Sequence, residues 1–270
     1  MIAEALQTLR SALPADVRLV AVSKFHPVER LMEAYNAGQR LFGENRPQEL
    51  AAKAPQMPAN VEWHFIGHLQ TNKLKLVLPY VTMVQSVDSM HLLEAINNWC
   101  TANNRAIDIL LELHLGAEET KSGFTEEEIL SIVDNSFRSE ATAPAGAQPA
   151  RVFAEWQIRK GLQAAGELEG AAPLVRLDAR GWACVSEGVP TPLMNVRIRG
   201  LMGMATNTED MEVVERDFIR IENLFNKIKA LGVPGFDQLS IGMSGDWPLA
   251  VKHGATMVRI GTDIFGPREY

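Results

Sequence analysis

The sequence lacks the features of several protein classes. Its only cysteines are Cys100 and Cys184, too few for a disulfide framework or a zinc site. No segment approaches the roughly 18 to 20 uninterrupted apolar residues of a membrane helix, and no secretory signal peptide is visible. A net charge of -7 gives no basic surface for a nucleic-acid partner. We therefore expect a soluble, cytoplasmic protein with two buried or partly buried thiols, bound to neither nucleic acid nor membrane.

The periodicity of the apolar residues indicates repeated βα units, because it switches between short β-like runs and helical patterns. Strands are predicted over 18–24, 40–45, 61–67, 81–87, 107–115, 196–204, 237–244 and 256–264. Helices are predicted from Pro27 to Gly38, from Ser89 onward, and over 210–231, where an apolar stripe runs from Met211 to Leu231. No G-x-G-x-x-G follows the first strand, which disfavours an open nucleotide-binding sheet. The pattern predicts a (β/α)8 TIM barrel that forms a single domain over 1–270.

One stretch does not fit the βα pattern. Residues 138–195 are rich in Ala, Gly and Pro and form an insertion of roughly 55 residues between the fifth-unit helix and the sixth strand, where a few residues normally suffice. One helix is predicted within it, over 153–169. Its role is open between a loosely packed excursion on the barrel surface and a lid or subunit contact.

The end of the first strand is the first candidate for chemistry, because active sites of such barrels lie at the carboxyl ends of the strands. Lys24 follows an almost wholly apolar run. Desolvation there would lower the pKa of its amine and leave it neutral, the form that reacts with a carbonyl. The alternative is a lysine that extends to solvent.

The turns after the last two strands predict a phosphate site. Residues 240–246 and 259–262 supply hydroxyls and glycines whose backbone N–H groups can face an anion, and barrels often bind phosphate after strands 7 and 8. Either turn alone is better explained as an ordinary Gly/Ser turn. The two together, at the expected pair of strands, favour a phosphate site. A lysine across the barrel mouth from a phosphate describes a pyridoxal 5′-phosphate site. Arg259 shares a strand face with Gly261 and could reach the pyridine nitrogen.

At these residues the chain resembles the pyridoxal phosphate homeostasis protein family (YggS/PROSC type), relatives of the alanine racemase barrel. The resemblance rests on an ordered set of short motifs: Ala21–Lys24, Phe42–Asn45, Trp63–Gln70 with Asn72 and Lys73, Lys121–Gly123, Arg199–Met202, Ser240–Ser244 with Asp246, and Arg259–Thr262. It implies the alanine racemase N-terminal barrel, of the fold-type III kind, with pyridoxal phosphate held as a Schiff base on Lys24. The remaining implied contacts are the phosphate residues Ser240, Ser244, Gly261 and Thr262, Arg259 at the pyridine nitrogen, and the pocket residues Asn45, His68, Met202 and Met243. The insertion is the departure from the family and puts the geometry near Met202 in doubt.

The resemblance implies a non-catalytic pyridoxal phosphate carrier in intracellular vitamin B6 homeostasis, with apo-enzymes that use the cofactor as partners and a monomer or weak dimer as its state. Arg259 would make the ring a poorer electron sink, and the chain beyond the eighth strand is too short for the racemase's second domain. The alternative is a small fold-type III enzyme such as an amino-acid racemase, with His64, His68 or Lys121 as the base. A metal pair of the two histidines is disfavoured because no third ligand has suitable spacing.

Overall fold

The strands close into one barrel. A computed structural model describes residues 1–116, 122–141, 195–233 and 235–267, the side chains of 134–141 excepted. Eight parallel strands pair in sequence order, and β1 closes the ring against β8. They are β1 (Arg18–Val22), β2 (Leu41–Glu44), β3 (Glu62–Phe65), β4 (Met83–Val87), β5 (Ile107–Leu113), β6 (Val196–Gly203), β7 (Gln238–Ser240) and β8 (Met257–Ile260). The predicted (β/α)8 barrel is confirmed.

Helices surround this barrel in the described part of the chain. They are α1 (Ile2–Ala12), α2 (Val28–Asn36), α3 (Pro47–Lys53), α4 (Leu74–Val77), α5 (Met90–Ala102), α6 (Glu126–Ala141), α7 (Met211–Ala230), α8 (Trp247–Lys252) and α9 (Thr262–Phe265). None of the helices in these residues is long and apolar enough to cross a membrane.

Local sequence signals fix the ends of the predicted helices. Pro27 is the N-cap of α2, and Gly38, with a φ of 89°, follows its end. The Ser89 hydroxyl accepts a hydrogen bond from the Leu92 N–H at the start of α5. Asp210 caps α7 through the Glu212 N–H. These three helices are confirmed.

The apolar stripe of α7 is shorter than predicted. Its members Val214, Phe218, Ile221, Leu224 and Ile228 are buried. At the ends, Met211, the first residue of the helix, and Leu231, its C-cap, are 44% and 45% exposed. The middle of the stripe therefore supplies the contact with the strands.

Two apolar layers support the barrel. The larger lies between the strands and the helices and includes Cys100, a buried free thiol whose pKa burial raises to about 11. The smaller fills the inside of the barrel with Val20, Leu41, Met83, Leu110, Met202 and Met257. Because alternate residues of a strand share a face, this inner layer identifies which later residues of each strand point toward the mouth.

The predicted strand ends and insertion need adjustment. β7 stops at Ser240 because Gly242 takes a φ of 94°, and β8 stops at Ile260 because α9 begins at Thr262. Residues 138–141 of the predicted insertion continue α6, and Asn195 bonds Asn97 through its backbone N–H. The rest of the insertion, the helix predicted over 153–169 and Cys184 lie outside the described residues.

Candidate functional site at the barrel mouth

A cavity of about 410 Å³ opens at the carboxyl ends of the strands. Its walls combine several of the predicted site residues with others. The lining residues are Val22, Lys24, His26, Asn45, Ile66, Gly67, His68, Glu112, Ser122, Met204, Met243, Ser244, Gly245, Arg259, Gly261, Thr262 and Gly266. The volume lies within the range of small-molecule sites.

Lys24 lies on a tight turn just beyond β1. The next residue, Phe25, has a φ of 68°, a left-handed conformation that is rare for a bulky side chain. The Glu49 Oε2 accepts a hydrogen bond from the Phe25 N–H at 2.8 Å, and the Arg46 guanidinium lies 4.3 Å from the Phe25 ring centroid. The turn that carries Lys24 is therefore held from the α3 side.

A buried ammonium lies beneath this turn. Lys53 Nζ donates to the Ser23 carbonyl at 3.0 Å, to Glu44 Oε1 at 2.7 Å and to Glu49 Oε2 at 2.8 Å. The Ser23 hydroxyl also donates to Glu44 Oε1 at 2.8 Å. Lys53 is only 8% exposed, so both of its ion pairs are shielded from solvent.

The two carboxylates of this cluster respond differently to burial. Burial raises the pKa of Glu44, against the opposing effects of Lys53 and Ser23, and its buried Oε2 has no hydrogen-bond partner among the described residues. For Glu49, burial also acts to raise the pKa, but the bonds from Lys53 and the Phe25 N–H outweigh it and lower the pKa overall. Lys53 thus acts to lower the pKa of both carboxylates, and Arg46 adds to that effect on Glu49.

The turns after β7 and β8 present backbone donors to the cavity. Within the described residues, the N–H groups of Ser244, Gly245 and Gly261 make no hydrogen bond, and that of Thr262 is in the unpaired first turn of α9. A Cβ at Gly245 would meet no atom within 4 Å, so this side of the cavity is open. Four N–H groups and two hydroxyls here suit an oxyanion.

The turn after β7 is held in shape by Asp246. Its Oδ1 accepts a hydrogen bond from the Met243 N–H at 2.5 Å. Burial raises the pKa of Asp246, while that hydrogen bond and the charge of Arg259 lower it. This carboxyl fixes the loop that carries Met243, Ser244 and Gly245.

Arg259 forms the floor of the cavity. Its Nη1 donates to the carbonyl and the hydroxyl of Ser240, both at 2.7 Å, and its Nη2 donates to the Gly203 carbonyl at 2.8 Å. Burial lowers its pKa to about 10, so it remains a cation at neutral pH. Of its five N–H groups, three are used by these bonds.

A chain of hydrogen bonds runs below Arg259 through the barrel. The Ser240 hydroxyl donates to Gln85 Oε1 at 2.7 Å, and Gln85 Nε2 lies 2.8 Å from His64 Nδ1. His64 Nε2 lies 3.2 Å from Glu62 Oε1. Burial lowers the pKa of His64. The pKa of Glu62 is lowered to about 2, mainly by its hydrogen bond with His64. The chain links the amino-terminal end of β3 to the cavity floor.

Most of the predicted pocket residues come together, but two do not. Lys24, Asn45, His68, Met243, Ser244, Arg259, Gly261 and Thr262 all line the cavity. Ser240 is fully buried beneath it, bonded to Gln85 and Arg259, and Met202 belongs to the inner apolar layer. Both point inward but are not among the residues that line the cavity, whereas Met204, just beyond the end of β6, is.

The candidate bases are spread out. His64 is fully buried under the cavity, whereas His68 lies past the end of β3 at the rim, its Nδ1 2.7 Å from Asp88 Oδ2. β3 ends at Phe65, so the two histidines do not lie in one extended segment. Lys121 is outside the described residues. Within the residues described, no group of three or more His, Cys, Asp or Glu could hold a metal ion.

Glu112 of β5 lines the cavity and was not predicted. It is 4% exposed, and burial raises its pKa to about 7. Its position was readable from the sequence, since it shares a strand face with Leu110 of the inner layer and stands near the carboxyl end of the strand.

The chain is similar over most of its length to proteins of a known family. A model of the family "Alanine racemase, N-terminal domain" matches residues 1–154. A relative from Vibrio alginolyticus called pyridoxal phosphate homeostasis protein is 32% identical over 262 residues, which covers 95% of this chain and 89% of the relative. The chain belongs to the pyridoxal phosphate homeostasis protein family. A relative of the same name from Schizosaccharomyces pombe is 32% identical over 267 residues, covering 97% of this chain and 89% of the relative. The resemblance read from the motifs is confirmed.

Solved structures of the same family share the barrel. PipY from Synechococcus elongatus PCC7942 is 30% identical, and its structure with pyridoxal phosphate bound aligns with a TM-score of 0.69 over 98% of this chain and all of PipY. The PipY structure without the cofactor aligns with a TM-score of 0.72 over the same shares of the two chains.

Proposed function

We propose that this chain binds pyridoxal 5′-phosphate at the barrel mouth, as a Schiff base on Lys24, and serves intracellular vitamin B6 homeostasis as a carrier rather than an enzyme. The observation that carries the proposal is that Lys24 and the two donor-bearing turns after β7 and β8 open into one cavity. An amine at one side and anion donors at the other match the aldehyde and the phosphate of this cofactor. The names of the relatives and the cofactor bound to PipY point the same way.

The cavity fits the cofactor at the remaining positions. Asn45 Oδ1 is a buried oxygen without a hydrogen-bond partner in the described structure, and Asn45 lines the cavity, so this acceptor suits a hydroxyl of the ring. Arg259, on the floor, carries a positive charge that suits an unprotonated ring nitrogen. Ser244 and Thr262 add hydroxyl donors at the phosphate end.

The proposal of a carrier rests on what the residues around the ring do. When bound, the cofactor supplies an electron sink whose strength depends on a protonated ring nitrogen. Arg259 disfavours that protonation because it is a buried cation anchored by Ser240 and Gly203. The residues therefore hold and orient the cofactor but reduce its reactivity, which suits storage and delivery to apo-enzymes.

The linkage is tested by borohydride reduction of the protein loaded with pyridoxal phosphate, followed by peptide mapping. We expect the label on Lys24 and loss of the visible absorbance of the linkage in Lys24→Ala. The matched control is Lys75→Ala, which removes an exposed lysine of α4. A label that persists on another lysine in Lys24→Ala would overturn the assignment.

The carrier role is tested by two assays on the loaded protein. We expect transfer of the cofactor to an apo-enzyme that depends on it, and no racemisation of amino acids detectable by chiral chromatography. Racemisation that disappears in Lys24→Ala would replace the carrier by the small racemase.

A further inference from the structure

Glu112 is a carboxyl inside the barrel that the proposed function has not yet used. It follows Leu110 by two residues on β5, and Leu110 belongs to the inner apolar layer, so the Glu112 side chain also points inward. Its register partner across the strand pair is Met202, another inward residue. Glu112 therefore lies directly above the apolar layer and lines the cavity from below.

The Glu112 carboxyl is open to a ligand. In the part of the chain that the structure describes, its side chain makes no hydrogen bond or ion pair, although the residue is only 4% exposed. Its oxygens are not fully enclosed by protein, because the residue lines the cavity. A bound molecule can therefore supply the hydrogen-bond partner that the protein does not.

The charges around Glu112 leave it close to balance between its two protonation states. Burial raises its pKa to about 7, Asp88 beyond β4 adds to the rise, and Arg259 of β8 opposes it. The other titratable groups on the cavity wall are Lys24 and His26 after β1 and His68 after β3. The side chains that face the barrel interior from β6 and the residue just beyond it are the uncharged Met202 and Met204.

We propose that Glu112 contacts the ring of the bound pyridoxal phosphate in its protonated form, so that the cavity holds a proton together with the anionic ligand and releases the ligand as pH rises. This inference rests on the proposed function. The protonated carboxyl adds no negative charge beside the phosphate ester and can donate a hydrogen bond to the ring. The carboxylate would repel the same anion across the cavity.

The expected effect follows from proton linkage. If only the protonated form accepts the ligand, the dissociation constant of the wild-type protein rises by the factor 1 + 10^(pH − pKa). With a pKa of about 7 this factor is about 1 at pH 6 and about 30 at pH 8.5. Glu112→Gln keeps a hydrogen-bond donor and removes the ionisation, so it mimics the protonated state at every pH.

The experiment measures the Kd of 4′-deoxypyridoxine 5′-phosphate by calorimetry from pH 6 to pH 8.5. This probe has no aldehyde, so Lys24 chemistry does not contribute. The ratio of the wild-type Kd to the Glu112→Gln Kd cancels the titration of the probe itself. We expect the ratio to rise from about 1 to about 30 across this range. Glu127→Gln, which removes an exposed carboxylate on α6, should follow the wild type.

A second variant keeps the test independent of how well Glu112→Gln folds. Asp88→Asn removes the negative charge that raises the pKa of Glu112, so the pH at which the affinity begins to fall should move to lower values. The inference is overturned if the ratio of the wild-type Kd to the Glu112→Gln Kd stays within twofold over the whole pH range. It is also overturned if the pH at which the affinity falls is the same in Asp88→Asn as in the wild type. Either result leaves the proposed function standing. If neither the wild type nor Glu112→Gln binds the probe at any pH, the proposed function fails and the inference fails with it.

Discussion

Replacing Lys53 by methionine should destabilise the protein by an amount that depends strongly on pH. The substitution keeps most of the aliphatic stem and removes an ammonium that bonds Ser23, Glu44 and Glu49. Glu44 is then a fully buried carboxyl with only the Ser23 hydroxyl as a partner. Breaking a buried ion pair in this way costs about 3–5 kcal/mol.

The pH dependence follows because Glu44 can escape the cost by taking up a proton. Protonating a carboxyl with an ordinary pKa of about 4.3 costs roughly 3.7 kcal/mol at pH 7 and roughly 1 kcal/mol at pH 5. Burial already raises the pKa of Glu44 in the wild type, and loss of Lys53 raises it further. Because the folded variant binds the proton that the unfolded chain releases, its stability falls as the pH rises above about 4.3.

The assay is urea unfolding of the wild type and Lys53→Met at pH 5, 6, 7 and 8, followed by tryptophan fluorescence. The loss in free energy of unfolding should grow between pH 5 and pH 7 by at most about 3 kcal/mol, because the raised pKa of Glu44 in the wild type offsets part of the change. The control adds Lys53→Met to Glu44→Gln, and the loss relative to Glu44→Gln alone should no longer vary with pH. An equal loss at pH 5 and pH 8 in the single variant would refute the reasoning.

Three further predictions concern the cavity and the barrel below it. Gly67→Ala places a Cβ 2.5 Å from the Asn45 carbonyl oxygen. We therefore expect urea unfolding to show a free energy of unfolding lower by about 1–3 kcal/mol, and titration to show a weaker affinity for pyridoxal phosphate. Wild-type values of both quantities would contradict the contact. Ser244→Ala and Thr262→Ala should each weaken cofactor binding by about 10- to 150-fold, which corresponds to the loss of one charge-assisted hydrogen bond. The visible absorbance at saturation should remain. Unchanged affinities would show that these hydroxyls do not contact the cofactor. Glu62 has a pKa of about 2, so the stability that its carboxylate adds to the fold is present above pH 4.5 and is lost as the pH falls toward 2. The difference in urea midpoint between the wild type and Glu62→Gln should therefore shrink over that pH range. A constant difference would argue against the lowered pKa.

The strands were predictable from the sequence because their apolar runs are short and regularly spaced, but two of their ends were not. Ile241 after β7 and Ile264 and Phe265 after β8 extend the apolar runs, so the pattern continues the strands. In the structure Gly242 turns the chain with a positive φ, and Ile264 and Phe265 are buried from α9. Burial alone does not distinguish a strand from a short helix.

The side of a strand on which a residue lies was predictable, but its depth was not. Alternation correctly assigns Ser240 and Met202 to the inside of the barrel. How far each lies below the mouth depends on the tilt and stagger of the closed barrel, which a single strand does not reveal. Ser240 therefore supports Arg259 from beneath the cavity, where the sequence predicted a phosphate contact.

The cluster around Lys53 could not have been found from sequence. Glu49 and Lys53 are four residues apart on α3 and resemble an ordinary exposed helix pair. Only the packing of α3 over the ends of β1 and β2 buries Lys53 and brings it to Glu44 and the Ser23 carbonyl. Tertiary contacts of this kind leave no local pattern.

The row of polar groups from Glu62 to Arg259 has a direction. With His64 neutral, its Nε2–H faces Glu62 and its Nδ1 accepts from Gln85, whose amide oxygen accepts from Ser240. A second proton on His64 would set an N–H against the Gln85 amide, which would have to turn over and leave the Ser240 hydroxyl without its acceptor. Because the Ser240 hydroxyl also accepts a hydrogen bond from Arg259, the protonation state of His64 would be coupled through side chains to the arginine on the cavity floor.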